Sequence, residues 1–142
     1  MKITDIMTTD VTTCKPDITI RELASKMMEL DVGSIPISDG ERLLGIVTDR
    51  DIVIRGIAAQ VSLDRPVSQI LTSHLVTGTT DMSIKDAAEI MSKHQIRRLP
   101  IVQNDQLIGI VSLGDIAVRD RTDDNASMIL EEVSESDNTR LQ

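Results

Sequence analysis

A chain of 142 residues, 40% apolar and 27% charged, is long enough to bury roughly two thirds of its unfolded surface in one compact unit and too apolar to stay disordered. It has no Phe, Tyr or Trp and a net charge of -8, so it offers neither aromatic platforms for stacked bases nor clustered cations for a phosphate backbone, and nucleic acid is excluded as the expected partner. No stretch approaches the ~18 apolar residues of a membrane span, no apolar leader opens the sequence and Cys14 is the sole cysteine, so a soluble cytoplasmic protein with no membrane partner is expected.

In chain order, Val11 to Cys14 reads as a short strand that Pro16-Asp17 breaks. Thr19 to Glu22 then forms a capping box, hydroxyl and carboxylate each satisfying a free backbone donor. Ile20, Leu23, Ala24, Met27 and Leu30 follow at helical spacing as one buried stripe, on a helix that Gly33 ends. Ile35 to Ser38 and Leu43 to Val47 are strands of a hairpin whose turn is Asp39-Gly40-Glu41, and Thr48 to about Ala59 is a second helix. Ser62 to Pro66 is a short polar connection.

The same order then returns. A shift of 64 residues lays Ile35-Pro36-Ile37 on Leu99-Pro100-Ile101 and Gly45-Ile46-Val47 on Gly109-Ile110-Val111 without a gap. Asp17, Ile20, Ala24 and Met27 fall on Asp81, Ile84, Ala88 and Met91, with Ser83 to Asp86 as the second capping box and Asn104-Asp105 in the second turn. Two copies are too few for a solenoid, so the expected fold is α+β: two pseudo-twofold-related repeats of strand, helix, strand, strand, helix, packed through their sheets. Repeat one is placed at 1–62, repeat two at 67–122, and 123–142 is read as an acidic tail, partly helical through Ala126, Ile129, Leu130 and Val133 and otherwise frayed.

One polar segment recurs after the third strand of each copy: Gly45-Ile-Val-Thr48-Asp-Arg50-Asp51 and Gly109-Ile-Val-Ser112-Leu-Gly-Asp115. A hydroxyl and a carboxylate three apart either cap a helix or, at the end of a buried strand, pair with vicinal ribose hydroxyls, and the two readings are compatible. The adjacent Arg97 and Arg98 enter an apolar strand where copy one has Gly33-Ser34; such a pair is solvated, ion-paired or holds an anion, and Arg50 lies near in the expected fold. His74 and His94 lack neighbours at metal-ligand spacing, Cys14 reads as a small core residue, and Met27 and Met91 as core filler. No catalytic motif is present, so no enzyme and no required cofactor or metal is expected.

The uninterrupted repeat, the Ile-Pro-Ile and Leu-Pro-Ile strands and the paired Gly-Ile-Val-(Thr/Ser)-x-x-Asp-Ile segments together resemble the tandem CBS domain, named after cystathionine β-synthase, in its stand-alone bacterial or archaeal forms, over about residues 3 to 122. The resemblance implies two clefts between the repeats for an adenine nucleotide or S-adenosylmethionine as regulatory ligand. It assigns Thr48 and Asp51 to one ribose, with Val76, Thr77 and Ile96 around the adenine and Arg97 or Arg98 on the phosphates. It assigns Ser112 and Asp115 to the other ribose, with Thr12, Thr13, Val32 and Ser34 lining the base. Homodimerisation through helix faces and action in trans on an unknown protein partner are implied as well. The alternative reading is a ligand-independent dimeric scaffold.

Overall fold

Thr19 accepts a hydrogen bond from the Glu22 amide at 3.1 Å and so opens α1, Ile20–Leu30, in the computed structural model, which describes residues 2–73 and 75–119. His74 and the tail from 123 with its helical face lie outside the described residues. The chain divides into two compact units. The first is Thr12–Leu75; the second combines the segment up to Val11 with the chain from Val76.

In the first unit, α1 leads to the antiparallel hairpin β1, Ser34–Ser38, and β2, Leu43–Thr48, with Ile35 opposite Val47. The helix α2, Asp49–Asp51, continues directly as a π-helix, Ile52–Ile57. Five-residue hydrogen bonds from the Ala58 amide to Val53 and from Val61 to Gly56 mark the wider winding, where the sequence pattern predicts an ordinary helix to about Ala59. A single 3-10 turn, Val67–Gln69, then brings Thr72 into an antiparallel bridge with Ile46. Ile20, Leu23, Ile35, Ile37, Val47 and Val67 form the fully buried centre, each contributing about 1.5–3 kcal/mol.

In the second unit, the two-residue β3, Gly78–Thr79, pairs in parallel with β4, Arg98–Gln103, which pairs antiparallel with β5, Gln106–Ser112. The helices are α3, Ile84–His94, and α4, Leu113–Arg119. Here the 3-10 turn is Ile3–Asp5, and Thr8 bridges Ile110. Each partner is 64 residues from its counterpart in the first unit: Ile3 matches Val67, and Thr8 matches Thr72. The opening segment of each repeat therefore belongs to the unit that holds the helices and hairpin of the other. Both units are mixed α/β, as the sequence predicts.

Several local expectations are corrected. Val11 to Cys14 is not a strand: Thr12 and Thr13 are exposed, and only Cys14 pairs, its amide donating to Pro36 and its carbonyl accepting from Ser38. Asp31, not Gly33, ends α1. It takes φ 53°, and the Val32 amide reaches back to the Met27 carbonyl, a Schellman closure that Gln95 repeats after α3 at φ 54°. Leu30, the last residue of α1, is exposed rather than part of the stripe. Both long helices carry half a capping box: Thr19 and Ser83 accept from the Glu22 and Asp86 amides, and neither carboxylate accepts a return bond from its cap amide. In the first hairpin turn only Gly40 has positive φ, 98°, because the Asp39 carboxylate closes the turn instead, accepting from the Glu41 and Arg42 amides at 2.8 Å. Those bonds, the Arg42 amide first, hold the Asp39 carboxyl below its ordinary pKa.

Cys14 is buried, and burial raises its thiol pKa against the opposing pull of Lys26. The folded thiol therefore keeps its proton where the unfolded one has begun to lose it, so this contribution to stability is full at neutral pH and falls as pH rises past about 8.5. Iodoacetamide at pH 8 is expected to alkylate the native protein about tenfold or more slowly than the protein unfolded in urea. Equal rates would show that the site is open.

Candidate functional site

Each unit ends its hairpin in the same construction. The Thr48 hydroxyl accepts from the Asp51 amide at 3.1 Å, and the Asp51 carboxylate accepts from the Thr48 amide through Oδ2 at 2.9 Å. Ser112 and Asp115 repeat this at 3.1 and 3.0 Å. Both are complete reciprocal boxes, of the kind that the sequence pattern assigns to Thr19 and Ser83 as well, so the capping reading of both segments holds.

The caps leave chemistry unspent. Asp51 Oδ1 and Asp115 Oδ1 accept no hydrogen bond among the described residues, and each hydroxyl, having used a lone pair, retains its proton as a donor. All four residues are half-buried. An acceptor and a donor fixed on a rigid strand end suit a ligand bearing vicinal hydroxyls.

Strand pairing sets what surrounds each cap. Ser34 lies opposite Thr48 in the first unit, and Arg98 opposite Ser112 in the second. The Ser34 hydroxyl is buried without a partner, a local debt that a bound polar group would settle. Arg98 is exposed and its side chain has no partner among the described residues; Arg97 is exposed too. Backbone bonds of 2.9 Å fasten the two corners alike, from the Asp49 amide to the Gly33 carbonyl and from Leu113 to Arg97.

Val32 is half-buried against the core of the first unit, where Thr12 and Thr13 are exposed beside Cys14 and Arg50 is exposed on α2. Val76, Thr77 and Ile96 are half-buried in the second unit, Val76 and Ile96 against its core. Within one unit, then, Ser34, Thr48 and Asp51 come together, as do Arg98, Ser112 and Asp115. The assignments implied by the family resemblance draw on residues of both units.

Two features escape the sequence reading. The Asp49 carboxylate lies over Gly33, its Oδ2 3.3 Å from where a side chain there would begin. Arg55 donates from the π-helix to the Ile70 carbonyl and the Thr72 hydroxyl, both at 3.2 Å, tying the returning segment down. Neither leaves a periodic or motif signal, because both depend on where the hairpin ends. His94 is exposed at the end of α3, and among the described residues no three or more His, Cys, Asp or Glu are grouped as metal ligands. Among the described residues no helix is long and apolar enough to cross a membrane.

The CBS domain profile matches residues 3–56 and 67–120, two spans related by the same shift of 64. The chain is 44% identical over 132 residues to the CBS domain-containing protein YhcV of Bacillus subtilis (strain 168), covering 93% of this chain and 94% of that protein. Among solved structures it is similar to Hypoxic Response Protein I with two coordinated zinc ions, at 35% identity and TM-score 0.77 over 84% of this chain and 98% of that one. It is also similar to the CBS domain pair of protein MJ0100 in complex with 5'-methylthioadenosine and S-adenosyl-L-methionine, at 27% identity and TM-score 0.72, covering 84% and 94%. Two matched domains in tandem, a shared fold and relatives aligned over nearly their whole length place the chain in the CBS domain family.

Proposed function

We propose that this chain is a regulatory ligand-sensing module that binds an adenosine-containing ligand, AMP, ADP, ATP or S-adenosylmethionine, and acts in trans on a protein partner without catalysing a reaction. The observation that carries the reading is the repeated cap with its uncommitted acceptor and donor, Asp51 with Thr48 and Asp115 with Ser112. The complex of MJ0100 with 5'-methylthioadenosine and S-adenosyl-L-methionine supports it. Val76, Thr77 and Ile96, and Thr12, Thr13 and Val32, are the apolar and small side chains we assign to the base. Aliphatic walls suffice for a purine, so the absence of aromatic residues is no obstacle. Arg50, Arg97 and Arg98 are the cations we assign to phosphates.

Coupling to a partner requires that the ligand bind two states of the module with different affinity. Homodimerisation is part of the proposal: Met28, Val53, Ile54 and Ile57 are exposed apolar side chains in the first unit, suited to an intersubunit contact. Light scattering is expected to return twice 15.6 kDa. A cytoplasmic location belongs to the same reading.

A ligand at about a hundred times its dissociation constant adds ~2.7 kcal/mol and raises the melting midpoint by several degrees. Asp51→Asn and Asp115→Asn are the informative variants, since Asn keeps an oxygen for the cap and gives up the second carboxylate acceptor. Each is expected to fold as the wild type does and to lose the shift at its own cap. The ligand-independent scaffold reading draws on the completeness of both caps as purely structural devices. It prevails if no adenosine compound moves the midpoint.

A further inference from the structure

We infer that Arg55 is a latch between the helix that starts at the Thr48–Asp51 cap and the chain that leaves the first unit, so that ligand at this cap fastens residues 70–72 more firmly. This rests on the ligand-sensing reading above and names the element of the first unit through which binding is passed on.

Thr72 stands just before the chain passes to the second unit after Leu75. Its backbone hold on β2 is weak: the Ile46 amide lies 3.3 Å from the Thr72 carbonyl and the Thr72 amide 3.4 Å from the Ile46 carbonyl, against 2.8 and 2.9 Å for the matching pair, Thr8 and Ile110. Arg55 makes good the difference, since one terminal nitrogen, Nη1, donates to both the Ile70 carbonyl and the Thr72 hydroxyl, and bonds from a guanidinium are roughly twice as strong as neutral ones. The repeat carries the same two residue types at the matching positions, Arg119 and Thr8. The other end of the latch is the cap. Arg55 belongs to the turn that follows Asp51, in the π-wound stretch Ile52–Ile57 that continues the cap helix without a break. Such wide turns inside helices are frequent at functional sites. Gly56 softens this one: a Cβ there would meet nothing within 4 Å, so packing does not call for glycine, and its backbone freedom lowers the cost of rewinding. A ligand that draws on Asp51 Oδ1 and the Thr48 hydroxyl restrains the first turn and keeps Arg55 where it meets Ile70 and Thr72. The coupling is reciprocal, so loss of the latch weakens ligand at that cap by the factor by which ligand tightens the latch.

The test is backbone amide exchange in the full chain, alone and with AMP, ADP, ATP or S-adenosylmethionine, with the Ile46 and Thr72 amides compared against the Leu23 amide of α1. In the wild type, the compound that raises the melting midpoint is expected to slow the Ile46 and Thr72 amides more than it slows Leu23. Arg55 is exposed, so Arg55→Met, which keeps the stem and loses both donors, is expected to fold. It should speed those two amides about tenfold in the free protein, leave Leu23 within about twofold, abolish the extra slowing and weaken the compound about tenfold. Thr72→Val removes one of the two acceptors and should act the same way in weaker form. Wild-type exchange at Thr72 in Arg55→Met, extra slowing that persists undiminished in both variants, or no extra slowing in the wild type overturns the latch and leaves the ligand-sensing reading standing. If no compound raises the midpoint of the wild type, the ligand-sensing reading falls and the coupling falls with it.

Discussion

Deletion of residues 1–8 is expected to unfold the second unit and to leave the first folded. Ile3 is fully buried among Met91, Leu99 and Ile101, although the helices and strands around it begin some eighty residues later. The segment also donates from the Ile3 amide to the Met82 carbonyl at 3.0 Å and exchanges two bonds between Thr8 and Ile110, at 2.8 and 2.9 Å. Truncating a fully buried Ile to Ala removes about 2–5 kcal/mol, and the deletion adds an emptied site and unpaired donors on an exposed strand. Against a total of about 5–15 kcal/mol this is decisive. Hydrogen exchange gives the readout unit by unit: amides of α3 and β4 lose protection, and those of α1 and β1 keep it. Ile3→Ala should give the same pattern in weaker form, lowering stability by about 2–5 kcal/mol. Undiminished protection of α3 in the deletion variant would show that the segment is peripheral.

That dependence was partly written in the chain. Ile6-Met7-Thr8 and Ile70-Leu71-Thr72 stand 64 residues apart like the rest of the repeat, but residues with no period of 2 or 3.6 give no helix or strand signal, so nothing in them disclosed that each segment packs in the unit holding the other repeat's helices. Both long helices, both hairpins and the buried faces of α1 and α3 were legible because each rests on amphipathic spacing or turn chemistry. The helix ends were not: Asp31 and Gln95 adopt positive φ because a Schellman closure and the Val32 and Ile96 contacts outweigh the penalty on a side chain there. The π winding of 52–57 was equally hidden, since apolar Val53, Ile54 and Ile57 fit a helix of either pitch and all three are exposed. At the candidate site, residue types and spacing disclosed Thr48, Asp51, Ser112 and Asp115. Asp49 went unread because its importance arises from lying over Gly33, a contact between the end of one strand and the start of another.

The largest effect expected from a single added methyl group is at Gly45. A Cβ there would fall on the Thr72 carbonyl oxygen, nearer than real atoms approach, and 2.6 Å from Leu71 Cδ1. Leu71 has rotamers to retreat to, but Thr72 does not: its carbonyl accepts from the Ile46 amide at 3.3 Å and its hydroxyl from Arg55. Gly45→Ala must therefore push the 70–72 segment off β2, straining a packed core by about 1–3 kcal/mol and breaking the bridge as well. At the matching Gly109, a Cβ would stand 2.8 Å from the Thr8 carbonyl and 2.9 Å from Met7 Sδ, the latter on a side chain that yields readily. Urea unfolding should accordingly rank Gly45→Ala as more destabilising than Gly109→Ala, with both below the wild type; a neutral Gly45→Ala would mean that the returning segment does not press on β2. The ranking bears on ligand binding too, because Thr48 and Ser112 each follow their glycine by three residues on the same strand. A strand shifted at Gly45 carries the Thr48–Asp51 cap with it, so on the proposed ligand-sensing reading Gly45→Ala should weaken binding at that cap and leave the Ser112–Asp115 cap as before.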